Sequence, residues 1–226
     1  MRILELTKDE LLSPIGVIPV GSIEQHGPHL PLGTDSIIAE AVAEKVAQIE
    51  GLLLFPVMYY GCSVEHGDLP HVSIEDVNFL NMMRDILESS VKLNIKGLVL
   101  VNGHGGNTDL LKVATRRVNF TRSRPKVMLV DLHEIEVFSQ YRDLHAGTVE
   151  TSLLLYLRPE LVRLDRIPSS VSFSPFTFTL ITSEKGGSNG IVAEKVEPSK
   201  ELGERVFKEM VNFVMNRVKE FRSVIT

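Results

Sequence analysis

Hydrophobic positions fall into two kinds of run that alternate along the chain. "IGVIPV" (Ile15–Val20), "LLLFPV" ending at Val57, "GLVLVN" (Gly97–Asn102) and "KVMLVD" (Lys126–Asp131) are short, apolar at successive residues and rich in branched side chains. Such runs predict strands buried on both faces. Between and after them, apolar residues recur every three or four positions. They do so in "SIIAEAVAEKVAQ" after Asp35, "SIEDVNFLNMMRDILESSVKLN", "TDLLKVATRRV", "TVETSLLLYL" and the closing "ELGERVFKEMVNFVMNRVKEF". That spacing predicts amphipathic helices. Asp35 or Ser36 suits the N-cap of the first helix. Ser73, with Asp76 three residues later, resembles a capping box for the second. From about Arg166 to Pro198 the chain reads as loops with one strand, "FTFTLIT". Strands alternating with helices predict an α/β three-layer sandwich, a mostly parallel sheet with helices on both faces. No repeat or linker divides it, so residues 1–226 read as a single domain.

Composition narrows the function classes. A chain of 226 residues with 43% hydrophobic residues builds one sizeable core. The net charge of −5 gives no basic footprint, which argues against nucleic acid as a partner. Cys62 is the only cysteine, so no disulfide framework or thiolate zinc site is available, as suits a reducing cytosol. The start, "MRILELTKDELL", lacks a signal-peptide pattern, and no apolar run has the length of a membrane span. A cytoplasmic protein without a membrane partner is therefore expected.

Ionisable residues gather where the strands end. "GSIEQHGPHLPLGTD" (Gly21–Asp35) carries Glu24, His26, His29 and Asp35 between prolines and glycines that stiffen it. Glu24 and His26 are two apart and share a face in extended chain. His66 and His71 follow the second strand, His104 follows the third in "NGHGGN", His133 follows the fourth, and His145 opens "HAGTVETS". In a parallel sheet these loops share the carboxyl edge, where ligands bind. Taken singly, His29, His66, His71 and His133 read as local hydrogen-bond partners. "NGHGGN" fails as a dinucleotide fingerprint because Thr108 stands where the third glycine belongs, and no P-loop lysine follows. Converging imidazoles and carboxylates suit Zn, Fe or Mn. Asp35 has two oxygens with which to bridge two divalent ions, and Glu24, His26 and His104 supply terminal ligands.

"GSIEQHGPHLPLGTD", "NGHGGN" and "HAGTVETS", in that order, resemble the creatininase family of metal-dependent amidohydrolases over roughly Pro14 to Leu155; "GGSNGI" in the tail is also similar. The resemblance implies an α/β sandwich with two metal ions per chain at the carboxyl edge. Glu24 and His104 would each hold one ion or the other, His26 the second, and Asp35 both. His145 would match the family's proton-shuttling histidine. There are two departures. Gly106 stands where creatinine-hydrolysing members carry a glutamate ligand, and Glu150 is the candidate to replace it or else to orient His145. The chain also has no tryptophan to close over creatinine. Both point away from creatinine and toward another small-molecule amide, a formamide or a peptide-type bond. Backbone N–H groups of "GGSNG" (Gly186–Gly190) are candidates to accept an anionic group. Creatinine amidohydrolase proper and formylamino-pyrimidine nucleotide deformylase are the alternatives within the family. A nucleotide-dependent oxidoreductase and a non-catalytic metal-binding module are those outside it. Family members form hexamers, so a homo-oligomer is expected, with "FSPFTFTLI" as a candidate contact.

Overall fold

The computed structural model describes residues 1–121, 125–187 and 189–225. Its strands are β1 (Ile15–Val20), β2 (Ile23–Glu24), β3 (Leu53–Leu54), β4 (His71–Val72), β5 (Gly97–Asn102), β6 (Lys126–Asp131), β7 (Asp143–His145) and β8 (Val192–Ala193). Its helices are α1 (Thr34–Glu50), α2 (Asp76–Ser89), α3 (Thr108–Thr121), α4 (Glu136–Gln140), α5 (Thr148–Leu157), α6 (Ser183–Gly186) and α7 (Lys200–Ile225). The central sheet is parallel in the order β3-β1-β5-β6. β1 pairs with β5 from Ile15↔Gly97 to Val20↔Asn102, and β5 pairs with β6 from Gly97↔Lys126 to Asn102↔Asp131.

Side chains alternate across this sheet and build a core on each face. Val17, Val99 and Val101 pack with Val42, Val46, Leu153, Met210 and Val214 of α1, α5 and α7. Ile18, Leu98 and Leu100 pack with Phe79, Met83, Leu111 and Val118 of α2 and α3. Helices therefore cover both faces, as the doubly apolar strands require. Two small antiparallel pairs, β2–β4 and β7–β8, lie apart from the central sheet. No helix among the described residues is long and apolar enough to cross a membrane.

Local expectations fail in four places, each for a physical reason. "LLLFPV" forms a regular strand only at Leu53–Leu54, because Pro56 has no N–H for the ladder. Bonding to β1 continues around it, from Phe55 N to Val17 O at 2.9 Å and from Met58 N to Pro19 O at 3.0 Å. The cap of α2 is Glu75, whose carboxylate accepts from the N–H groups of Val77 and Asn78. Ser73 instead accepts from Ser63 N and donates to Ile74 O. Neither Asp35 nor Ser36 caps α1, which starts at Thr34 after Gly33 with no side-chain cap. The Asp35 carboxylate is turned toward histidines, and Ser36 donates to Ser22 O. "FTFTLIT" is a tight turn in which Phe178 N donates to Ile181 O and Phe178 takes a left-handed φ of 65°.

Candidate active site

The loop after β1 turns through β2 into α1 and carries Glu24, His26 and Asp35. His104 follows β5, and His145 ends β7 just before α5, which carries Glu150. All six face one region at the carboxyl edge, and all are at most 4% exposed. A cavity of about 780 Å³ opens over Glu24, Asp35, His104, His145 and Glu150.

Two donor sets share Asp35. In the first, Glu24 Oε2 and Asp35 Oδ2 are buried without a hydrogen-bond partner. They lie 3.2 and 3.1 Å from His104 Nδ1. His104 donates from Nε2 to the Cys62 carbonyl at 2.6 Å, which leaves the Nδ1 lone pair facing the two oxygens. In the second set, His26 donates from Nδ1 to the Glu24 carbonyl at 3.1 Å. Its Nε2 then faces Asp35 Oδ1 at 2.9 Å and Glu150 Oε2 at 3.9 Å. Each imidazole is thus fixed from behind by a backbone carbonyl, the arrangement by which proteins orient histidine ligands. Donor atoms within each set lie within 4.8 Å of one another. Lone pairs that face each other in a buried place carry a cost of several kcal/mol without a positive charge between them. A divalent cation fits both sets.

Without an ion, protons answer the same demand. Burial opposes charging His104, but the charges of Glu24 and Asp35 and hydrogen bonds to them prevail, and its pKa rises well above the ordinary value. Burial likewise opposes charging His26, yet Asp35, Glu150 and Glu24 raise it to about 10. His145 goes the other way. Burial, with the neighbouring charge of His26, holds it well below the ordinary value and therefore neutral. It donates from Nε2 to the Gln25 carbonyl at 2.7 Å, so its Nδ1 lone pair faces Glu24 Oε1 at 3.7 Å. Glu150 accepts from Ala146 N at 2.5 Å and stands on the His26 side.

Gln25, Glu65 and Asp143 join the site without having been singled out in the sequence, and His66 joins it as more than a local hydrogen-bond partner. Gln25 is fixed by Gly27 N at its oxygen and by Gly190 O at its nitrogen. It also donates to His66 Nδ1 at 2.9 Å, so His66 keeps its proton on Nε2, 3.0 Å from Glu24 Oε1. His66 is thus a support for Glu24 rather than an isolated loop histidine. Glu65, beside it, lines the cavity with Oε1 3.5 Å from His104 Nε2. A Cβ on Gly106 would stand 2.3 Å from that Glu65 oxygen, 2.2 Å from Cys62 O and 2.6 Å from His104 Nε2. The space next to Gly106 is therefore filled by a carboxylate from another loop. Asp143 accepts from the N–H groups of Gly147 and Val149 and holds the start of α5, and burial beside Glu150 raises its pKa to about 7. The clue to Glu65 and His66 was a second knot of ionisable residues between Gly61 and Gly67, of the same kind as the first loop.

The remaining histidines lie outside the two sets. His29 is fully buried against Thr151 Oγ1 at 2.9 Å, and burial lowers its pKa to about 4. His71 donates to Leu69 O, and His133 pairs with Asp131 at the cavity wall. Of "GGSNG", Ser188 lies outside the described residues. Gly190 presents its carbonyl to the site through Gln25.

Comparison with known proteins agrees with the fold. The family model for creatininase, described as creatinine amidohydrolase, matches residues 4–218. The mycofactocin precursor peptide peptidase of Mycolicibacterium smegmatis is 33% identical over 92% of this chain and 86% of its own. A 2-amino-5-formylamino-6-ribosylaminopyrimidin-4(3H)-one 5'-monophosphate deformylase of Methanococcus maripaludis is 38% identical over 47% of this chain and 50% of its own. A solved Mn form of creatininase superposes with a TM-score of 0.80 at 25% identity, over 97% of each chain. The match along nearly the whole sequence, the parallel sheet and the histidine–carboxylate edge lead to one assignment: the chain belongs to the creatininase family of amidohydrolases.

Proposed function

We propose that the chain is a metal-dependent amidohydrolase that cleaves a peptide-type amide, using two divalent ions shared by Asp35. The observation that carries this reading is that Asp35 turns Oδ2 toward His104 and Oδ1 toward His26, with Glu24 Oε2 and Asp35 Oδ2 otherwise unpartnered. Glu24, Asp35 and His104 would hold one ion, and His26, Asp35 and Glu150 the other. Such ions lower the pKa of a water to about 7 and polarise the amide carbonyl.

The chain's own groups do the rest. Cys62 O and Glu24 O orient the two imidazoles. His66 and Gln25 hold Glu24 in place. His145, neutral and tethered through Nε2, takes a proton at Nδ1 and returns it to the leaving nitrogen. A peptide-type amide is favoured over creatinine for two reasons. The peptide peptidase is 33% identical over 92% of this chain, against 26% over 90% for a creatinine amidohydrolase of Pseudomonas putida. The cavity of about 780 Å³ has Phe173 and Phe178 in its lining and no tryptophan to clamp a small ring. A formamide is the second reading, supported by the half-chain likeness to the deformylase.

The test combines metal analysis with a panel of short peptides, formamides and creatinine, assayed with and without chelator. Two ions per chain, chelator-sensitive peptide hydrolysis and loss of both ions in Asp35→Ala are expected. Full metal content in Asp35→Ala would remove the bridging role, and hydrolysis untouched by chelator would remove the metals.

A further inference from the structure

The cavity over the site is electrically lopsided. On the side of α2 and α3 its lining includes Glu65, Asp76 and Asp109. Its floor holds Glu24, Asp35 and Glu150. On the other side, between α4 and β7, stands Arg142, the one lysine or arginine among the described lining residues. Its guanidinium lies over the ring of Phe173, 4.6 Å from the centroid. Phe178 continues that wall inward, with its ring 5.8 Å from the ring of His145 and 5.6 Å from that of His66.

Arg142 is also held in an unusual way for a mere surface cation. Its φ is 47°, a left-handed conformation that strains a long side chain and persists only where the surroundings enforce it. Its ion-pair partner is Glu194, with Nε to Oε2 at 3.6 Å and both side chains more than half exposed. An exposed pair at that distance contributes little, and it leaves the flat fork of the guanidinium available. Phe173 beneath it fixes the plane of that fork. An anion entering on the side of Glu65, Asp76 and Asp109 meets carboxylates. At the Arg142 side it meets the fork that matches carboxylate and phosphate geometry.

The geometry points to Arg142 as the anchor for an anionic end group, a carboxylate or a phosphate monoester, on the amide substrate. This rests on the amidohydrolase reading and narrows its substrate class to amides that carry a negative end. It also sets the direction of binding, with the anionic end against Arg142 and Phe173 and the scissile amide between Phe178 and the Asp35 floor.

Binding tests this without turnover. Metal-replete protein is titrated calorimetrically with N-acetyl-L-phenylalanine, its neutral carboxamide and phenyl phosphate. One of the two anions should bind at least roughly tenfold more tightly than the carboxamide, and which one it is distinguishes a carboxylate from a phosphate end. Arg142→Gln should weaken anion binding by roughly 10- to 100-fold and leave carboxamide binding unchanged. Arg142→Lys should keep part of the anion binding, because it retains the charge without the fork. Equal binding of anions and carboxamide by the unaltered protein, or anion binding undiminished in Arg142→Gln, overturns the assignment. Failure to hydrolyse any amide would count against the proposed reaction and leave this readout intact.

Discussion

Gly106→Ala is the most direct trial of how the site is built, because its neighbour supplies the control. A methyl at 106 would press on Cys62 O at 2.2 Å, Glu65 Oε1 at 2.3 Å and His104 Nε2 at 2.6 Å. The Glu65 end can swing into the cavity, but the other two atoms are a backbone carbonyl and the imidazole bonded to it. Overpacking there costs roughly 1–3 kcal/mol. Prising apart the bond between His104 and Cys62 adds about 1 kcal/mol. The sum is roughly 2–4 kcal/mol, or about 4–16 °C of Tm for a chain of this size. A methyl on Gly105 meets open space, so Gly105→Ala should stay within about 0.5 kcal/mol. Urea denaturation of the two variants, with metal content measured in parallel, gives the answer. Gly106→Ala should unfold early and hold less metal, since His104 loses its support. A Gly106→Ala protein as stable and metal-replete as the parent, or a Gly105→Ala protein equally damaged, would refute the reasoning.

Three further outcomes are expected. His145→Ala should keep its metal while kcat falls by roughly 10²–10⁴-fold, the scale of general acid–base catalysis; loss of metal instead would make His145 a ligand. In chelator-treated protein, His26 has a folded pKa of about 10 against 6.5 ordinarily, so the folded state binds the extra proton between those values. Stability should therefore fall as pH rises from about 6.5 to about 10, and the slope should shrink when metal displaces the proton; identical slopes with and without metal would contradict the donor-set geometry. Creatinine should be turned over slowly, and a kcat/KM near 10⁴ M⁻¹s⁻¹, at the low end of ordinary enzymes, would overturn the preference for larger amides.

The sequence is most legible where burial is two-sided. Strands β1 and β5, buried at every position, match their apolar runs residue for residue, and the partly buried edge strand β6 does so as well. The run after Leu52 misleads because Pro56 interrupts the ladder without ending the association. "FTFTLIT" has the composition of a strand but is shaped by Phe178 in a left-handed conformation, which no alternation signals. The first loop advertises itself, since Glu24, His26 and Asp35 are close in sequence as well as in space. Glu65, His66 and Arg142 do not, because their partners lie on distant loops and pairwise proximity leaves no local spacing. Asp35 shows the same limit from the other side. Its position at a helix start fits a cap and its company in the first loop fits a shared ligand, and the tertiary fold decides between them by turning its carboxylate to two histidines.

The sharing of Asp35 between two donor sets has a consequence for the growing chain. Glu24, Asp35 and His104 are all present once residue 104 has been made, whereas the His26 set waits for Glu150, a further 46 residues along the sequence. At about 5–20 residues per second, translation leaves roughly 2–9 s between the two events. During that interval Asp35 faces His26 without Glu150, and β6 and α5, which complete the sheet edge and its cover, have yet to emerge. The order along the chain sets what is available when: the donor set around His104 is complete before Glu150 and the adjoining His145 are made, and the set around His26 closes only when the second part of the protein docks onto the first.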